Sequence, residues 1–202
     1  MIHRLTIDPS MRSLGYALAS IDQSNIQYLS YGSLVALGDE KDTPWRLRSY
    51  EMADALYRDV GALLSVHRIK SLSVITEVPD NWFTEKGMDS KNNEAVQKLY
   101  FFTGCMIGVL KGLSECTAVY ATVPSQWKGQ APKRVMIQRC IGVLQRRVGD
   151  HITPGQVRAM PDDTVEAIML MEKSLRALDK FEQVYDASSS GLSRIEISDY
   201  II

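Results

Sequence analysis

Apolar and polar positions along this chain alternate between two periods. Residues 2–8, 14–19 and about 26–37 carry short apolar runs, the first two separated by turn chemistry at Pro9-Ser10, which predicts three strands in a meander. Pro44 suits a helix first turn. Leu47, Met52, Ala55, Leu56, Val60, Leu63 and Leu64 then recur at helical spacing to about His67. Residues 71–78 form a β-branched-rich run that reads as a central strand. Residues 80–92 are a polar loop containing Trp82 and Phe83. A strongly apolar helix is expected over 93–113 and a strand over 117–123, stopped by Pro124. Pro132 opens a basic helix to about 147. A loop over 154–161 precedes a last helix over about 162–181. The order β-β-β-α-β-α-β-α-α predicts an α/β fold: a mixed five-stranded sheet, its first three strands antiparallel, with helices on both faces.

Length narrows this to one domain. A chain of 202 residues buries roughly 70% of its unfolded surface. The domain is expected over 1–185, with a serine-containing linker and tail over 186–202. An apolar fraction of 45% with 23% charged residues suits a globular protein, and no apolar run has membrane-spanning length. His3, Arg4 and Asp8 interrupt the first ten residues, so no secretory signal is read there. Cys105, Cys116 and Cys140 are odd in number and form no CxxC pair. They fit reduced, mostly buried thiols, and a cytoplasmic protein is expected.

The net charge of −1 conceals an uneven distribution. Residues 124–158 carry seven bases (Lys128, Lys133, Arg134, Arg139, Arg146, Arg147 and Arg158) against one acid, Asp150. Residues 159–202 carry nine acids against four bases. A basic block of this kind either binds a polyanion or forms an ordinary solvated helix face.

Acids stand where strands end. Asp8 closes the first apolar run and Glu77 the central one. A carboxylate at the end of a buried strand needs compensation: a bound cation, an ion pair with Arg12, or hydrogen bonds within its own turn. Asp162-Asp163-Thr164-Val165-Glu166 opens the last helix, and Asp163 and Glu166 share a face of it. Capping and the helix dipole account for Asp162 and Asp163 but less well for Glu166. Converging carboxylates repel one another, and hard divalent ions such as Mg²⁺ or Mn²⁺ would relieve that repulsion.

These segments resemble the RuvC-type Holliday junction resolvases of the RNase H-like nuclease superfamily. The resemblance lies in Ile7-Asp8-Pro9…Leu14-Gly15-Tyr16, Thr76-Glu77-Val78, Lys91-Asn92-Asn93-Glu94-Ala95, Pro124-Ser125-Gln126-Trp127-Lys128…Lys133 and Asp162-Asp163-Thr164-Val165-Glu166-Ala167. Glu166 in the last acidic place resembles the phage and mobile-element branch. The resemblance implies an RNase H-like fold and a homodimer that cuts branched DNA, four-way junctions included, with two Mg²⁺ ions. Asp8, Glu77, Asp163 and Glu166 would hold the metal, with Asp162 an alternative to Glu166. Lys133 would serve catalysis and DNA binding. Arg12, Lys128 and Arg134 would contact DNA, and Trp82 and Phe83 would wedge into the junction or merely anchor their loop. The competing reading is a catalytically silent DNA-binding or scaffold protein of the same fold.

Overall fold

The apolar run at the start of the chain becomes β1 (Ile2–Pro9), and a tight turn returns it as β2 (Ser13–Asp22), followed by β3 (Asn25–Val35), all antiparallel. β4 (Leu72–Glu77) joins the other side of β1 in parallel, and β5 (Cys116–Thr122) lies parallel to β4. A last strand, β6 (Glu182–Asp186), closes the far edge antiparallel to β5. The sheet therefore runs β3-β2-β1-β4-β5-β6, with β1 at its centre. The computed structural model describes residues 1–10, 12–23, 25–36, 43–79 and 94–188.

The sheet has six strands where the sequence predicts five. Glu182-Gln183-Val184-Tyr185-Asp186 carries too few apolar residues to read as a strand. It needs few, because an edge strand buries only one flank. Val184 packs with Val78, Ala121 and Val123, and Lys111 Nζ lies 4.8 Å from the Tyr185 ring centre. A second difference is small: the expected loop after Pro154 contains a single helical turn capped by Thr153, whose Oγ1 accepts from Gln156 N.

Helices cover both faces. On one face α1 (Trp45–Val66) and α2 (Glu94–Lys111) bury Met52, Leu56, Val60, Leu64, Phe102, Met106 and Leu110 against Leu5, Ile7, Leu14 and Leu18. The short α3 (Pro124–Trp127) leads to α4 (Lys133–Val148). After the single turn α5 (Pro154–Arg158) comes α6 (Asp162–Ala177). α4 and α6 pack Met136, Cys140, Leu144, Val165, Ile168 and Leu170 with Ala17 and Ile75 on the opposite face. No helix among the described residues is long and apolar enough to cross a membrane.

Alternation along β1 has a consequence for chemistry. Leu5 and Ile7 enter the α1–α2 core, so Arg4, Thr6 and Asp8 face α6. All three are buried. Thr6 Oγ1 donates to the Ala167 carbonyl at 2.7 Å, and Arg4 Nη1 donates to Ser174 Oγ at 2.9 Å. These bonds align α6 antiparallel to β1 and bring its first turn to the Asp8 end. Gly15, opposite Asp8, permits the approach: a Cβ there would sit 2.0 Å from the Asp163 carbonyl carbon.

Candidate metal centre

Two strands and one helix supply the site. Ile7 pairs with Thr76, so Asp8 and Glu77 follow side by side at the carboxyl ends of the central parallel strands. The first turns of α6 bring Glu166 over them. Carboxylate oxygens of Asp8, Glu77 and Glu166 all lie within 4.8 Å of one another. Asp8 is 5% exposed. Its pKa stands well above the usual carboxylate range, chiefly through burial, then through the charges of Glu77 and Glu166. Burial likewise raises Glu77, opposed by Lys128 and by the Trp127 hydrogen bond.

The short helix α3 provides the compensating groups. Gln126 Oε1 accepts from the Val123 N–H at 3.2 Å, closing the turn after β5. The turn lays Trp127 and Lys128 over the end of β4. Trp127 Nε1 donates to Glu77 Oε2 at 2.7 Å. Lys128 Nζ pairs with Glu77 Oε2 at 3.2 Å and also with Glu166. Burial alone would lower the Lys128 pKa, but Glu77, the Glu166 hydrogen bond and Asp8 raise it above the ordinary lysine value.

Asp163 stands apart from the three. Its Oδ2 accepts from Ser10 Oγ at 3.2 Å and from Ser13 Oγ, both on the β1–β2 turn. It still adds to the field that raises Asp8. Asp162 turns outward and pairs with Lys133. Of the two alternatives for the last acidic place, Glu166 is therefore the one beside Asp8 and Glu77. Arg12 and Arg134 are exposed. Trp82 and Phe83 lie outside the described residues. The sequence reading missed the Trp127 and Ser10/Ser13 hydrogen bonds. No local pattern signals them, because the partners are 50, 153 and 150 residues away.

The donor set suits a hard divalent cation: three carboxylates, no thiolate or imidazole, converging on one point. One ammonium is the only cation paired with these carboxylates among the described residues. The residues thus fit Mg²⁺ or Mn²⁺.

No family model and no curated protein matches the sequence. Solved structures do match. RuvC of T. thermophilus, in complex with a Holliday junction substrate, aligns at TM-score 0.60 and 15% identity, over 91% of this chain and 100% of RuvC. The fold is RNase H-like. A second Thermus thermophilus RuvC structure aligns at TM-score 0.59 with the same identity and coverage. The Mn-soaked, inhibitor-bound nuclease domain of human cytomegalovirus terminase aligns at 0.50 and 10% identity, over 88% of this chain and 85% of that domain.

Proposed function

We propose that the protein is a metal-dependent endodeoxyribonuclease that hydrolyses phosphodiesters in branched DNA, four-way junctions included. The observation that carries this reading is the convergence of Asp8, Glu77 and Glu166 at the ends of the central strands. Two Mg²⁺ ions (Mn²⁺ fits the same ligands) would supply activation of a water and stabilisation of the leaving oxygen. Asp8, Glu77 and Glu166 hold the metal, and Asp163 completes the acidic wall from the serine turn. Trp127 fixes the Glu77 carboxylate. Lys128 pairs with Glu77 and Glu166, and with those acids holding metal it would be free to contact a DNA phosphate. Lys133 stands at the opening helix turn for the scissile phosphate, and Arg12 and Arg134 grip the backbone on either side. The nuclease domain extends through β6, whose last residue, Asp186, lies one beyond the expected boundary at 185. Two copies paired through α2 would face two strands of a junction related by two-fold symmetry.

One observation favours a silent DNA-binding protein instead: the Lys128 ammonium already pairs with both Glu77 and Glu166, where a metal would sit. Cleavage separates the readings. A labelled four-way junction, a fork and a plain duplex are incubated with and without Mg²⁺. Cleavage of the branched substrates that requires Mg²⁺ is expected, and Asp8→Asn should abolish it while junction binding survives. A wild-type protein that binds junctions but never cuts them supports the silent reading.

A further inference from the structure

We propose that the groove between α4 and α6 is a track for the phosphate backbone of one duplex arm leaving the metal centre, an inference that rests on the nuclease reading above. The groove has a volume of about 620 Å³, and its cationic lining comprises Lys128, Arg139, Arg146, Arg147, Lys173 and Arg176. Its acid is Glu172, which Arg147 Nε neutralises at 3.2 Å. Arg139, Arg146, Lys173 and Arg176 are exposed and form no ion pair among the described residues. Four unpaired cations facing one trough repel one another unless a polyanion lies between them.

The trough begins at the metal centre. Lys128 belongs to both, pairing with Glu77 and Glu166 while lining the groove. From Glu166 to Arg176 the helix α6 climbs about 15 Å at its usual rise per residue. One DNA strand presents a phosphate roughly every 3.4 Å along the duplex axis, so this length spans about four phosphates. The number of free cations therefore matches the number of phosphates that fit.

Duplex is favoured over single strand by what the groove lacks. Among the described residues its one aromatic side chain is Trp127, which is 8% exposed and whose N–H is engaged by Glu77. Single-strand sites stack bases on exposed rings, and this trough offers guanidinium and ammonium groups over a floor that includes buried Met136 and Val143. Such a surface reads backbone charge without base identity.

The test compares wild-type protein with the Arg139→Gln/Arg146→Gln/Lys173→Gln/Arg176→Gln variant and with Lys173→Gln/Arg176→Gln alone. Binding of a labelled plain duplex and of a single strand of the same length is followed by fluorescence anisotropy between about 50 and 200 mM salt. Each lost phosphate contact lowers the slope of log affinity against log salt by about 0.9, so decreases of about 3.6 and about 1.8 are expected for duplex. Single-strand binding should change less. The two-site variant carries the test if the four-site variant melts early by circular dichroism. An unchanged duplex slope, or an equal loss for single strand, overturns the proposal. Mg²⁺-dependent cleavage by wild-type protein, abolished in Asp8→Asn, separates the two failures. If cleavage persists while the slopes stay fixed, the groove is wrong and the nuclease reading stands. If wild-type protein neither binds nor cuts DNA, both fall.

Discussion

Asp8 has been placed where its charge costs stability. It is 5% exposed, with Glu77 and Glu166 beside it and its pKa held well above the usual carboxylate range by burial and by those two charges. A carboxyl whose pKa is higher folded than unfolded binds its proton more tightly in the native state. Native stability is then greatest below the ordinary carboxylate range and declines as pH rises toward the native pKa. The metal-free protein should accordingly lose melting temperature as pH rises above the ordinary carboxylate range. Asp8→Asn keeps the volume and removes the charge, so in chelator its melting temperature should exceed that of wild type at alkaline pH and vary less with pH. Mg²⁺ binds the deprotonated acids, so it should stabilise wild type more at alkaline than at acid pH. Thermal melts with chelator and with Mg²⁺ decide this. Parallel melting curves for the two proteins across pH would show that Asp8 is adequately compensated without metal. The same residue was legible in the sequence, because an acid ending an apolar strand breaks the pattern around it. Asp163 was legible as an acid but not as the partner of Ser10 and Ser13. That pairing depends on how closely the first turn of α6 approaches the β1–β2 turn.

At the scale of elements, the site depends on the seating of α6. Thr6 and Arg4 bond to Ala167 and Ser174 along its length, and Gly15 leaves room for its first turn. Gly15→Ala would place a methyl group 2.0 Å from the Asp163 carbonyl carbon, which only a backbone shift can relieve. Overpacking of this kind typically costs about 1–3 kcal/mol. The helix would lift at the end that carries Asp163 and Glu166. The variant is expected to melt several degrees lower and to lose at least tenfold in Mg²⁺-dependent cleavage, measured by thermal denaturation and single-turnover assay. Wild-type cleavage by Gly15→Ala would mean that α6 can shift without disturbing the acids. Strong periodicity made most elements readable: β1, β4, α1, α4 and α6 begin within a residue or so of the expected positions. β6 was not readable, because an edge strand needs neither a two-sided apolar pattern nor length. The basic groove was hidden for another reason. Lys173 and Arg176 belong to a segment with an acidic net charge, and only the packing of α4 on α6 sets them beside Arg139 and Arg146.

For the whole molecule, the question is how a backbone-gripping nuclease would prefer a junction. Metal ligands and phosphate contacts are available to any duplex, so preference requires a group that senses unstacked bases. The chain leaves β4 at Glu77 directly beside Asp8, and Val78 and Pro79, both buried, continue it. Trp82 and Phe83 follow Glu77 by five and six residues. Chain geometry keeps them within about 22 Å of it, even fully extended. A flat ring within that reach of the scissile phosphate can replace base stacking lost at the point of strand exchange, worth about 1–3 kcal/mol per base. The grip on the arms would persist without the ring, whereas the opening of the junction would not. Phe83→Ala, or Trp82→Ala if the other ring serves, should therefore lower junction cleavage much more than junction affinity and leave any plain-duplex binding unchanged. The fluorescence of 2-aminopurine at the crossover should rise less on binding. If both alanine variants cut junctions at the wild-type rate with the full fluorescence change, the rings only anchor their loop. Junction preference would then have to come from the spacing of two active sites in a dimer.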